Sequence, residues 1–357
     1  MINSLDKNKN VDINKGNSFK SQFIKQAMFF TPIFLIFYGT NSYGIHALKL
    51  YENPLGKLSS EQWVQESPIQ YFIGFPINLI IDSTITTHWL VVSLGFIYLI
   101  ISAYFVGKKY FKNVPILKVF YFTPFFLILF TWMGKPDTFT IGSLFFFIAF
   151  SNSQFLSLIF ILGLIFSHPQ VAFVYFILIR YLKIFKYKLS HLTSIFVGYV
   201  LYFIYLNQLE EFENRYSVIS QELDRAFRTI FSNTLGGFVS LFMWLWIIIF
   251  ISNLVKDKKF LLSFLLIFLI SFFTLDHTRI FTILSVPLIL YLINNSHFLS
   301  TFYELFDKKI MYLLGLFQIQ KRADGKIVDG FNFYENETMN NLFSSIIKFV
   351  ENLLNIS

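Results

Sequence analysis

The chain of 357 residues contains no cysteine. That excludes disulfides, thiolate catalysis and cysteine-based metal sites together. Charge is also scarce: Asp, Glu, Lys and Arg make up 14% of the sequence, against 55% hydrophobic residues and 20% aromatics, with a mean hydropathy of +0.58. A soluble domain carries roughly 25% charged residues, so this composition implies an integral membrane protein. The lack of a Gly-x-x-x-x-Gly-Lys phosphate loop argues against ATP-driven transport by this chain alone. Neither a Gly-x-Ser-x-Gly elbow nor a His-Glu-x-x-His helix occurs. No Asp-x-Asp or Glu-x-Asp pair stands at the outer end of a span, and Glu210-Glu211-Phe212-Glu213 falls in a polar loop, so neither a metal nor a cofactor is expected. The formal charge of +8 comes from Lys and Arg between apolar runs, which fits the positive-inside rule rather than a nucleic-acid partner. The 49 Phe residues share A/T-rich codons with Ile, Lys and Asn and carry no functional weight.

What is present is a series of apolar runs. Read as crossings of a ~30 Å core and oriented by flanking Lys and Arg, they predict about ten transmembrane helices. The polar segment 1–22 has no apolar core or cleavage site of a signal peptide, and Lys7, Lys9, Lys15 and Lys20 place it in the cytoplasm; the span at 23–43 is expected to stay in the membrane. Loop 44–82 is external and ends in a short apolar piece, interrupted by Pro76, that reads as interfacial or re-entrant. Spans at 83–106 and 114–133 turn at Lys108, Lys109 and Lys112. Between Asp137 and the basic run Arg180, Lys183, Lys186 and Lys188, three short crossings are expected, broken at Ser151-Asn152-Ser153-Gln154 and Ser167-His168-Pro169-Gln170. A seventh span at 189–206 leads to the external loop 207–237, where Leu209, Phe212, Tyr216, Ile219, Leu223, Phe227 and Ile230 mark an amphipathic surface helix. Spans at 238–255, 260–275 and 280–293 complete an all-α polytopic bundle over 23–293, with no internal repeat. Residues 294–357 read as a cytoplasmic tail with Lys308, Lys309, Lys321 and Arg322, and a further surface helix at Phe343, Ile346, Ile347, Val350 and Leu354.

With topology assigned from basic residues alone, the other polar groups fall on the external face. Asp276, His277, Thr278 and Arg279 lie together at the junction of two apolar runs, where ionisable groups are costly to desolvate. Lys135 and Asp137 follow the third span, His168 precedes the sixth, Asp82 and His88 flank the start of the second, and Arg215, Arg225 and Arg228 lie on the loop helix. Each has a plain structural reading. Asp276 is placed to cap the tenth span or pair locally with Arg279, Asp137 to cap the helix starting at Thr138, His168 to make a turn before Pro169, and His88, beside Trp89, to anchor at an interface. Glu211 with Arg215 and Asp224 with Arg228 suit a solvated, salt-bridged helix face. Arg225 and Arg228, three apart, also suit a lipid-linked phosphate. Read functionally, the set fits group transfer from a polyprenyl-pyrophosphate donor: the arginines and Lys135 bind the leaving group, while Asp276, Asp137, His277 or His168 orients and deprotonates an acceptor hydroxyl.

About ten spans, one large external loop between late spans and an external Asp-x-Thr-Arg motif at Asp276-His277-Thr278-Arg279 resemble the Wzy-type O-antigen and capsule repeat-unit polymerases of bacteria. The likeness covers the architecture of most of the chain; its motif is short, and loop 207–237 is shorter than the loop of some members. It implies an inner-membrane enzyme with a cytoplasmic N-terminus and a periplasmic active site. The growing glycan would pass from undecaprenyl pyrophosphate to a new lipid-linked repeat unit, without nucleotide sugar or metal, and Arg279, Arg225 and Arg228 would hold the pyrophosphate. The partners implied are the lipid-linked glycan, membrane lipid and a chain-length regulator. Two other readings stay open. One is a membrane glycosyltransferase of the C superfamily with a polyprenyl-monophosphate donor, where Glu52, Glu61, Glu66 or Asp82 of the first external loop would be the base. The other is a glycolipid flippase or transporter, which predicts charge deep within spans and repeated halves.

Overall fold

Polar residues at the ends of apolar runs set where the helices start and stop. The computed structural model describes residues 45–58, 62–111, 116–132, 134–209, 234–272, 274, 277–306, 319–321 and 327–329. The expected span at 23–43, Arg215, Arg225, Arg228 and Asp276, and the helix expected around 343–354 lie outside them. Within them the chain is helical apart from one antiparallel pair of short strands.

Two 3-10 turns, Ile45–Tyr51 and Gln62–Glu66, precede α1 (Ile69–Ile81) and α2 (Thr84–Tyr110). Next come α3 (Ile116–Phe120), α4 (Phe125–Thr131), α5 (Asp137–Ala149), α6 (Gln154–Ser167), α7 (Pro169–Leu182) and α8 (Leu189–Leu206). The last third holds α9 (Thr234–Phe242), α10 (Leu245–Ile251), α11 (Lys258–Phe272), α12 (His277–Leu284), α13 (Val286–Ile293) and α14 (Ser296–Phe306), then β1 (Ile319–Lys321) and β2 (Ile327–Asp329).

Among the described residues, α2 and α8 are long and apolar enough to cross a membrane. A ten-span arrangement is therefore not what helix length alone displays. Three of the expected spans are broken helices. Pro124, without an N–H, opens α4 and ends the run that α3 began. Met243 takes a left-handed φ of 48° between α9 and α10, and Pro287 sits in the first turn of α13, just after Ser285 interrupts the run from α12. The three short segments expected between Asp137 and Arg180 are α5, α6 and α7, with breaks where the polar residues stand: Ser153 caps α6 through the Leu156 N–H, and His168 separates α6 from α7.

Helices of 13–14 residues reach only about 20 Å, short of the ~30 Å core of a bilayer. For α5 the reason is enclosure: every one of its residues is buried. It runs parallel to α2, with Tyr98 bonded to Ser143 at 3.1 Å and the Lys109 ammonium bonded to the Ala149 carbonyl. At the start of this contact Gly95 lets the helices close; a Cβ there would come within 2.5 Å of Thr138 Oγ1. The N-terminus of α5 is thus level with Gly95, about 15 Å along α2 from its first turn at the 1.5 Å helical rise. A buried helix that starts so low leaves its polar first turn inside the bundle.

The helix ends segregate into two sets. At one, Tyr110 bonds Ser151 at 2.6 Å, His191 Nε2 donates to the Ser151 carbonyl at 2.8 Å, and Tyr291 donates to Asp257 at 2.6 Å. Lys108, Lys109, Lys186, Lys188 and Lys258 belong to this end by sequence. At the other, Tyr199 donates to the Pro169 carbonyl, while Tyr202 and Tyr205 of α8 hold the carbonyls of Glu66 and Gln65. Here the segment before α2 forms its own small core of Leu50, Tyr51, Leu58 and Tyr71 on Val91 and Phe139. Between the ends lies one continuous apolar cluster. The outward faces of α2 and α8 are apolar as well, with Leu94, Ile97, Phe196 and Ile204 exposed.

Two expectations are corrected. α14 does not belong to a detached tail, since Phe298 and Phe302 are fully buried against the bundle. Beyond it, β1 packs on α9, α12 and α4, so part of 294–357 returns to the helices that carry the candidate site. Reading that region by its basic residues alone hid the two short strands on either side of Asp324-Gly325. His88 is not an interfacial anchor: it is buried, with Nδ1 3.0 Å from the Tyr51 hydroxyl. Burial raises the Tyr51 phenol well above its ordinary pKa, so it stays protonated, and the His88 tautomer sets the direction of the bond.

Candidate functional site

The low start of α5 creates the site. Asp137, its first residue, is 2% exposed and accepts two bonds from Arg279, Nε to Oδ2 at 2.8 Å and Nη2 to Oδ1 at 2.7 Å. This bidentate geometry needs the planar fork of arginine. Arg279 is 6% exposed, and its guanidinium lies 5.5 Å from the centre of the Trp132 ring. Lys135, partly exposed, places Nζ 5.6 Å from the same ring. Two cations from distant segments therefore meet on one indole.

Local chemistry explains how Trp132 and Lys135 are presented. The Lys135 N–H donates to the Trp132 carbonyl at 3.0 Å, closing a tight turn. Gly134 within it has φ 93°, a left-handed value that glycine adopts without strain. Pro136 then sets the entry into α5. Beside this turn is a recess of about 10 Å³ lined by Gln70, Val92, Trp132, Lys135, Asp137 and Thr138 among others. That is space for about one water.

α12 carries Arg279 and is tied on several sides. Ser240 of α9 shares a 3.1 Å hydrogen bond with Thr278, and Tyr175 of α7 donates to the Ile283 carbonyl at 2.6 Å. His277 Nδ1 donates to the Ser271 carbonyl at 2.7 Å, and the same carbonyl accepts from Thr274. A carbonyl only accepts, so this bond requires a proton on Nδ1, while Nε2 is buried.

Of the residues singled out from sequence, Asp137, Arg279 and Lys135 come together, with His277 on the same turn of α12. Asp137 does not cap its own helix; its carboxylate is spent on Arg279. His168 is buried at the α6–α7 joint, two residues from Gln170. Near it in sequence is a second polar contact, in which Gln170 Nε2 donates to Glu66 Oε2 at 3.0 Å. Glu66 is 1% exposed. Of the other acids in the first loop, Glu52 is exposed, Asp82 ends α1 in a left-handed conformation, and Glu61 lies outside the described residues. Sequence reasoning passed over Trp132, although its place three residues before Lys135 in Trp132-Met133-Gly134-Lys135 was the available signal. Comparisons with protein families, with characterised proteins and with solved structures return no match.

Proposed function

We propose that this chain is a multi-pass protein of the bacterial inner membrane that polymerises undecaprenyl-pyrophosphate-linked oligosaccharide repeat units, of O-antigen or capsule type, by glycosyl transfer on the external face. The observation that carries this reading is the Asp137–Arg279 pair seated on Trp132 beside Lys135. It gathers cationic and carboxylate groups in the half of the bundle opposite Lys108, Lys186 and Lys258, on the side from which a lipid-linked anion would arrive. Membrane insertion is supported by the length of α2 and α8 and by their exposed apolar faces.

On this reading the acceptor hydroxyl oxygen attacks the anomeric carbon of the donor glycan. The bond to the pyrophosphate oxygen breaks, and its electron pair leaves with the pyrophosphate, whose charge the cations stabilise. The hydroxyl proton passes to water at the site, since His277 Nε2 is itself buried. Asp137 has both oxygens engaged by the Arg279 guanidinium. Deleting the gene and resolving surface polysaccharide by gel tests the proposal. Loss of the long-chain ladder with single repeats retained is expected, and Arg279→Ala should give the same pattern in a protein that still inserts. An unchanged ladder in the deletion strain would sink the reading.

A second reading is favoured by one observation: the buried Glu66 carboxylate, held by the neutral Gln170 amide, is the first-loop acid that a C-superfamily glycosyltransferase would use as base. It predicts loss of whole surface repeat units, not of chain length alone, on deletion. Transport would use charge deep within spans, such as the buried Asp137–Arg279 pair, but also a polar path between the two ends, where the described residues form one apolar cluster.

A further inference from the structure

We infer that Lys135, not Arg279, is the cation that meets the donor's pyrophosphate, and that the Asp137–Arg279 pair builds the wall on which Lys135 stands. The inference rests on the proposed transfer reaction and divides its binding roles. Three observations carry it. First, Arg279 already gives two of its N–H groups to Asp137 at 2.7–2.8 Å. A phosphate that took those N–H groups would strand a carboxylate that is 2% exposed, a far worse partner exchange than any at the surface.

Second, size separates floor from rim. The recess holds about 10 Å³, room for about one water, so a pyrophosphate does not reach a guanidinium buried behind it. Lys135, which also lines the recess, is partly exposed. Third, the Lys135 ammonium is carried on a tight turn over Trp132. The indole face attracts the cation and limits where its flexible stem places it, and the Arg279 guanidinium lies 5.5 Å from the centre of the same ring. Lysine binds phosphate as a point charge without needing fork geometry, which suits a headgroup that must leave after each transfer.

The test uses the full chain in detergent and follows tryptophan fluorescence, since Trp132 lies under Lys135. The probes are undecaprenyl pyrophosphate in micelles, inorganic pyrophosphate, undecaprenol and phosphatidylglycerol. Expected for the unaltered protein is saturable binding of undecaprenyl pyrophosphate, weaker binding of inorganic pyrophosphate, and no saturation by the other two. Lys135→Gln should weaken undecaprenyl pyrophosphate binding at least tenfold, and Lys135→Arg should restore it to within threefold. Binding by Lys135→Gln within twofold of the unaltered protein would overturn the assignment while leaving the transfer reaction standing. Saturation by phosphatidylglycerol at the same concentration would overturn it too, reassigning Lys135 to ordinary lipid headgroups. Failure of the unaltered protein to bind undecaprenyl pyrophosphate would instead remove the proposed reaction itself.

Discussion

Arg279 and Asp137 lie 142 residues apart, yet each satisfies the other's buried charge. Removing one member leaves the other uncompensated, which costs about 3–5 kcal/mol, whereas removing both leaves no stranded ion. Asp137→Asn and Arg279→Gln should therefore each lower the thermal unfolding midpoint in detergent by several degrees. The double variant should unfold closer to the parent than either single change; strictly additive losses would show that the two charges are not coupled. At this scale the sequence was informative about which residues matter and silent about how they pair. Asp276, one residue from His277, was the obvious local partner for Arg279, and nothing in the chain announced that Asp137 would reach it. His88 illustrates the converse: its neighbour Trp89 suggested an interface, but the Tyr51 hydroxyl that receives it comes from a segment 37 residues earlier.

Among the elements, α8 was legible almost to the residue, because its apolar run is bounded by Lys188 and Asn207 and nothing inside it interrupts the helix. The runs that became α3–α4, α9–α10 and α12–α13 looked equally apolar but break in the middle. Pro124 and Pro287 were visible causes; the left-handed Met243 was not, since tertiary packing and not local propensity selects such a conformation. α5 shows best how an element positions the site. Its parallel contact with α2 closes at Gly95, where a larger residue meets Thr138 and Phe139. Gly95→Leu should force the helices apart at a cost of about 1–3 kcal/mol for overpacking, and displace Asp137 from Arg279. The check is a lowered unfolding midpoint, set against Leu94→Phe on the exposed face of α2, where a change within about 0.5 kcal/mol is expected. Equal effects at the two neighbouring positions would show that helix contact at Gly95 does not matter.

For the whole molecule, the absence of cysteine makes topology directly measurable, because any introduced thiol is the only one. On the proposed membrane reading, Glu52→Cys should react with an impermeant maleimide in intact cells. Lys186→Cys and Lys258→Cys, exposed at the opposite end, should react only after permeabilisation; labelling of all three from outside would refute the two-ended arrangement. Sequence alone determined that the chain is helical and apolar and that its basic residues collect between runs. Those properties follow from composition and local pattern, since desolvation confines charge to helix ends wherever the helices happen to lie. Only the tertiary structure decided that α5 is wholly enclosed and starts low, that its first carboxylate therefore faces Arg279 across the bundle, and that β1 returns to pack on α9 and α12. These are long-range packing outcomes: they depend on which helices close on which, and no local run of residues encodes that choice.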